Sequence, residues 1–218
     1  MKIIPRHLTR HINRSLTVDR VVAVMGPRQS GKTTLVRHLL ESDREIKYYN
    51  LKDPDTRRLL QKNAAREFEF FHRCLIVLDE VQRVPDLVER VQIQVDSRPD
   101  EKGQFLLLGS NHLLLNRHIR ESLAGRVVLF RLYPLSFSEL EGRKESTLLA
   151  RLLTERSVDA VDEMLSHAYL PVEDSIRLSA GFGAFNLYGG YPEFLTRTDE
   201  SARKQWLDSY HQTYLDTD

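Results

Sequence analysis

The stretch Arg20-Val21-Val22-Ala23-Val24-Met25-Gly26-Pro27-Arg28-Gln29-Ser30-Gly31-Lys32-Thr33-Thr34 decides how this chain is read. Its first half is a short apolar run rich in β-branched residues, the pattern of a buried strand. Its second half runs Gly, four residues, Gly, Lys, Thr, the spacing of a phosphate-binding P-loop, and the residues from Lys32 to Leu40 continue with helical periodicity. A loop of this kind wraps phosphates in backbone N–H groups, while the next helix directs the positive end of its dipole at them. Lys32 can reach the terminal phosphates as a point charge, and the Thr33 hydroxyl is placed to bind a magnesium ion that bridges them. The expectation is a site for ATP and Mg2+ whose nucleotide-binding residues are Gly26, Pro27, Arg28, Gln29, Ser30, Gly31, Lys32, Thr33 and Thr34.

Outward from this motif, apolar runs recur at Glu45 to Leu51, Cys74 to Leu78, Phe105 to Leu108 and Val127 to Leu132, each with strand character. Helical patterns lie between them, including one opened by Pro85 in which Leu87, Val88, Val91 and Val95 share a face. Alternation of this kind implies a mainly parallel sheet covered by helices on both faces. From about Arg143 the pattern becomes helical, with Leu148, Leu149, Leu152 and Leu153 at helical spacing. Trp206, Tyr210 and Tyr214 then form an aromatic stripe, which is expected to pack back on the same chain.

Two of the later strands end in chemistry. Leu75-Ile76-Val77-Leu78-Asp79-Glu80 is an apolar strand closing on two carboxylates, the form of a Walker B element. Asp79 is the second candidate metal ligand beside Thr33. Because side chains alternate along a strand, Glu80 is expected to project differently and to serve as general base toward a water near the last phosphate. Phe105-Leu106-Leu107-Leu108 leads into Gly109-Ser110-Asn111, and Ser110 or Asn111 could position that water.

The bulk composition bounds the function. In 218 residues, 32 Lys and Arg nearly cancel 31 Asp and Glu to leave a formal charge of +1, so no global field favours a nucleic-acid or acidic partner. The single cysteine, Cys74, rules out an internal disulfide and is expected to be a buried, inert thiol, which fits a reducing, cytoplasmic setting. No apolar run approaches the roughly 18 residues needed to cross a bilayer, so no membrane partner is expected.

These motifs resemble those of AAA-type ATPases, and more narrowly of the prokaryotic family whose P-loop ATPase domain precedes a C-terminal domain of unknown function. The resemblance rests on Gly26 to Thr34, Leu78-Asp79-Glu80-Val81-Gln82-Arg83-Val84-Pro85, Leu108-Gly109-Ser110-Asn111, Ser122-Leu123-Ala124-Gly125-Arg126, Tyr133-Pro134-Leu135-Ser136 and Gly189-Gly190-Tyr191-Pro192-Glu193. It implies that the strand ending at Ser110 lies between the P-loop strand and the Asp79 strand, and that the chain stops short of the end of the second domain. At Asn111 and His112 the sequence departs from the small hydroxyl residues that relatives tend to carry.

ATPases of this type often complete their site with an arginine, sometimes supplied by a neighbouring subunit, and Arg126 is the candidate, with Arg28 a second one. At the N-terminus, Arg6, Arg10 and Arg14 share one helix face, and Ile4, Leu8 and Ile12 share the opposite one. The expected fold is thus α/β, a three-layer P-loop NTPase sandwich followed by a helical segment. An amphipathic helix over residues 1–17 comes first, then the ATPase core over 18–142, then a helical lid or linker and the start of a C-terminal domain over 143–218. The expected activity is magnesium-dependent hydrolysis of ATP with Lys32, Glu80, Ser110, Asn111 and Arg126 as catalytic candidates. A nucleotide-dependent switch with little hydrolysis and a DNA-engaging ATPase are the alternatives, and a homo-oligomer or a protein partner is left open.

Overall fold

The computed structural model of this chain describes residues 3–38, 40, 44–110, 119, 121–143, 153, 155, 157–166, 171–197 and 199–214. It divides into two compact units, residues 1–134 and 135–218. The first includes the N-terminal helix and ends at Pro134.

Five strands form the centre of the first unit: β1 (Val21–Met25), β2 (Ile46–Asn50), β3 (Leu75–Asp79), β4 (Phe105–Gly109) and β5 (Val127–Arg131). Their order is β2-β3-β4-β1-β5, and all four pairings are parallel. The strand leading to Ser110 thus lies between the P-loop strand and the Asp79 strand, as the family resemblance implies. Parallel neighbours need crossovers, and these are the helices α2 (Lys32–His38), α3 (Pro54–Phe70) and α4 (Leu87–Ser97). The N-terminal α1 (His7–Val18) completes the covering.

The alternation of side chains along each strand splits the core in two. Val21, Ala23, Met25, Ile76, Leu78, Phe105 and Leu107 pack with Leu60, Ala64 and Phe68 of α3 and Val88, Val91 and Val95 of α4. Val22, Val24, Leu75, Val77, Leu106 and Leu108 pack on the other face with Ile12 and Leu16 of α1 and Leu35 and Val36 of α2. Strands β1, β3 and β4 are buried along their whole length because both faces are covered, which explains why they read as unbroken apolar runs. Cys74, expected to be buried within such a run, is half-buried just ahead of β3. The helix α3 has its N-terminus fixed by Asp53, whose carboxylate accepts from the backbone N–H of Asp55 and Thr56, with Pro54 in the first turn.

The second unit is helical among its described residues: α5 (Phe137–Leu140), α6 (Val158–Ser166), α7 (Val172–Tyr188), α8 (Pro192–Leu195) and α9 (Glu200–Tyr214). A reciprocal capping box opens α5, Glu139 N–H donating to Ser136 Oγ and Ser136 N–H to the Glu139 carboxylate. Of the aromatic stripe of α9, Trp206 packs inward: it is only 9% exposed, and its ring lies against Tyr191, Phe194 and Tyr210 at centroid distances of 5.6, 5.9 and 5.2 Å, while the Tyr214 side chain lies outside the described residues. Among the described residues no helix is long and apolar enough to cross a membrane.

Candidate functional site

Parallel strands that share a register bring their C-terminal ends to one edge, and the chemistry-bearing residues gather there. Met25 pairs with Gly109, so the loop that begins at Gly26 starts beside Ser110, and Gly26 N–H donates to Gly109 O at 3.2 Å. Within the loop Gln29 (φ 63°) and Gly31 (φ 96°) take left-handed backbone, and Ser30 is fully buried.

Lys32 is 7% exposed and bends back over its own loop, donating from Nζ to Gly26 O and Pro27 O, each at 2.8 Å. Burial pushes its ammonium below the ordinary value, an effect opposed by the carboxylates of Glu80 and Asp79. One residue on, Thr33 Oγ1 donates to Asp79 Oδ2 at 2.8 Å, joining the start of α2 to the end of β3. Tyr48 of β2 donates its hydroxyl to the same Oδ2. Burial and the adjoining carboxylate hold that phenol above its usual range, so it remains a donor at neutral pH. Asp79 is 3% exposed, and its other oxygen, Oδ1, is buried with no hydrogen-bond partner among the described residues.

Glu80 diverges from Asp79 as expected, but for another reason. The strand stops at Asp79 and Glu80 turns into left-handed backbone at φ 62°, ψ 44°, so the change of direction comes from the chain reversal and not from strand alternation. Its carboxylate is engaged by Lys52 Nζ at 3.0 Å and by the Gln82 side-chain amide. Burial acts to raise the Glu80 carboxyl, yet the Lys52 ammonium and the Gln82 amide together hold it below the ordinary value and ionised.

Arg126 is not brought to this site. It immediately precedes β5, which pairs in parallel with β1 from Val21↔Val127 to Met25↔Arg131, so it stands at the opposite end of the sheet, roughly 15 Å from the P-loop edge at 3.3 Å per residue. Its guanidinium forms a two-point pair with Asp96, at 2.6 and 2.8 Å. That pairing and distance keep Arg126 away from the P-loop of its own chain. Arg28 is exposed within the loop, and Ser110 is buried at the site's edge. Asn111 lies outside the described residues.

The N-terminal segment adds a residue that sequence reasoning placed only on a basic stripe. Arg6 donates to Ser30 O at 2.9 Å and to Tyr133 O at 2.6 Å, tying the P-loop to the chain that follows β5. Tyr48, Lys52 and Arg6 lie outside every quoted motif, and Gln82 lies within one but without an assigned role. The register shows how Tyr48 could have been found: it faces Val77 across the β2–β3 pair, on the side covered by α2, and Asp79 is the next residue of β3 on that side.

The donor set fits magnesium and a nucleotide. A hydroxyl and a carboxylate, hard oxygen ligands, converge beside the P-loop lysine, and Asp79 keeps a buried oxygen whose desolvation is uncompensated in the protein alone. Fold and site together define a P-loop nucleotide-binding domain. A family model described as an AAA domain matches residues 18–141, more than half of the chain, and the chain belongs to that family. Over 220 aligned residues it is 32% identical to uncharacterised proteins of Mycobacterium bovis and Mycobacterium tuberculosis, the alignment covering 100% of this chain and 40% of each relative. The chain therefore spans about two fifths of the length of the curated relatives it matches. Among solved structures, the Orc1 protein of Aeropyrum pernix in complex with DNA is 14% identical with a TM-score of 0.45, the match covering 70% of this chain and 50% of that one. A likeness of that size carries no weight for function.

Proposed function

We propose that this chain binds ATP with magnesium at the P-loop edge of the sheet and hydrolyses it to ADP and phosphate, coupling turnover to a conformational change. The observation that carries the reading is the convergence of Lys32, Thr33 and Asp79, with one buried Asp79 oxygen left over for a cation. Thr33 and Asp79 would hold the magnesium, which when bound polarises the terminal phosphoryl oxygens.

The chain's own residues supply the rest. Lys32 exchanges the carbonyls of Gly26 and Pro27 for phosphate oxygens, a substitution of one set of acceptors for another that leaves its buried charge satisfied. Glu80, ionised, takes a proton from the attacking water as its oxygen bonds to the terminal phosphorus and the bond to the leaving ADP oxygen breaks. To do so its carboxylate must leave Lys52 and Gln82, which makes turnover conformationally gated. Ser110, beside the first loop residue, or Asn111 after it is the candidate for holding that water.

The same engagement of Glu80 favours a second reading, a nucleotide-dependent switch in which hydrolysis is slow. A DNA-engaging role has weaker support, since a formal charge of +1 provides no electrostatic footprint. The single half-buried cysteine fits a reducing compartment such as the cytoplasm. Phosphate release from ATP by the parent and by Glu80→Gln, with nucleotide binding followed in parallel, tests the proposal. Hydrolysis by the parent alone, with binding kept by both, supports the ATPase; equal and negligible release with tight binding in both favours the switch.

A further inference from the structure

The oxygen that Asp79 spends inside the protein is held by more than the P-loop threonine. Oδ2 accepts from Thr33 Oγ1 and from the Tyr48 hydroxyl, while Oδ1 is buried without a partner among the described residues. Tyr48 is itself anchored: the guanidinium of Arg37 lies 5.0 Å from its ring centroid. Arg37 sits one turn beyond Thr33 on α2. Thr33, Asp79, Tyr48 and Arg37 thus close a loop of contacts through α2, β3 and β2, all on the sheet face that α2 covers.

A carboxylate on the last residue of a strand can rotate about its terminal torsion, and either oxygen can then be presented to a cation. Two donors fixed on one oxygen remove that freedom. Thr33 can donate its O–H while a lone pair serves the cation, but in the loaded site the direction of that hydrogen bond must follow the metal as well as the carboxylate. A phenol on β2 has no such competing duty. We propose that Tyr48 is a positioning residue for the magnesium site: its hydroxyl locks Asp79 Oδ2, so that Oδ1 is the oxygen offered to the cation. This rests on the reading of Thr33 and Asp79 as the metal-holding pair. Outer partners that orient a metal-binding carboxylate typically contribute 10- to 100-fold to metal affinity.

The test is equilibrium binding of the non-hydrolysable analogue AMP-PNP to the full chain, titrated with magnesium chloride and in EDTA, for the parent and Tyr48→Phe. Phenylalanine keeps the ring and its contact with Arg37, and a thermal melt confirms that the variant is folded. The expected result is a loss of about 10-fold or more in apparent magnesium affinity, with the analogue's affinity in EDTA changed less than about two-fold. In an Asp79→Asn background the same change should add nothing, because the carboxylate it orients is gone. A merely structural role for Tyr48 would instead weaken binding in EDTA and lower the melt, and would overturn the inference. Unchanged magnesium affinity in Tyr48→Phe overturns it too. If the parent shows no magnesium dependence, the metal-site reading itself falls and carries the inference with it, an outcome the parent measurement alone reveals.

Discussion

Replacing Gly26 with alanine would add one methyl group at the point where the P-loop leaves β1. Gly26 is not there for a left-handed backbone; the restriction is space. A Cβ at this position would lie inside 3.0 Å of Leu132 O, a separation that real Cβ atoms essentially never show, and 3.2 Å from Ser30 Oγ. Neither side can yield easily. Leu132 is held by its N–H donating to Met25 O at 2.7 Å, and Gly26 by its N–H donating to Gly109 O at 3.2 Å. Overpacking typically costs 1–3 kcal/mol, and a clash with backbone on both sides puts this one at about 3 kcal/mol. For a unit of this size that corresponds to a fall of roughly 10 °C in melting temperature. Gly125→Ala is the internal control: its φ is 71° but nothing lies within 4 Å, so only the left-handed backbone is strained, at about 1 kcal/mol and roughly 3 °C. Thermal melts of the nucleotide-free proteins followed by circular dichroism measure both. If Gly26→Ala melts with or above Gly125→Ala, the packing of the P-loop entrance against the end of β5 is wrong.

Arg126→Ala is expected to leave the rate of ATP hydrolysis by the chain near that of the parent, since its guanidinium is paired with Asp96 at the far end of the sheet; a collapse of turnover with folding intact would restore it as a catalytic group. The Arg126 guanidinium holds the Asp96 carboxyl below its ordinary value, so its stabilisation is complete above the usual carboxylate range and is lost as pH falls through the depressed value. The difference in melting temperature between parent and Asp96→Asn should therefore be widest near pH 7 and shrink as pH falls below the ordinary carboxylate range, and a constant gap would contradict the pairing. Arg6→Ala removes charge-assisted hydrogen bonds to the Ser30, Tyr133 and Pro134 carbonyls, and nucleotide affinity should fall roughly 10-fold through a less organised loop. Titration with AMP-PNP measures it, and unaltered affinity would show that the brace is dispensable.

The sheet was legible because its strands are covered on both faces, and continuous apolar runs such as Val21–Met25 and Phe105–Gly109 have few other uses. The helix α3 was not, although Asp53-Pro54 is a good cap and first turn: its seventeen residues bury only Leu60, Ala64 and Phe68, too sparse a stripe to stand out. At the site, Lys32, Thr33 and Asp79 could be found from local spacing because a phosphate-binding loop and a strand-end carboxylate are contiguous in sequence. Tyr48, Lys52 and Arg6 reach the same place from separate segments, and only the sheet order and register bring them there. Arg126 shows the converse: a plausible residue type in a plausible motif, placed by strand direction at the end of the sheet away from its own chain's P-loop, which the sequence alone could not show.

The most direct measurement is calorimetric titration of ATP and magnesium into the nucleotide-free chain, beside Lys32→Ala. The P-loop account predicts saturable binding at one site per chain, abolished by the substitution while the fold persists. Absence of binding by the parent, or binding that Lys32→Ala leaves intact, would contradict it.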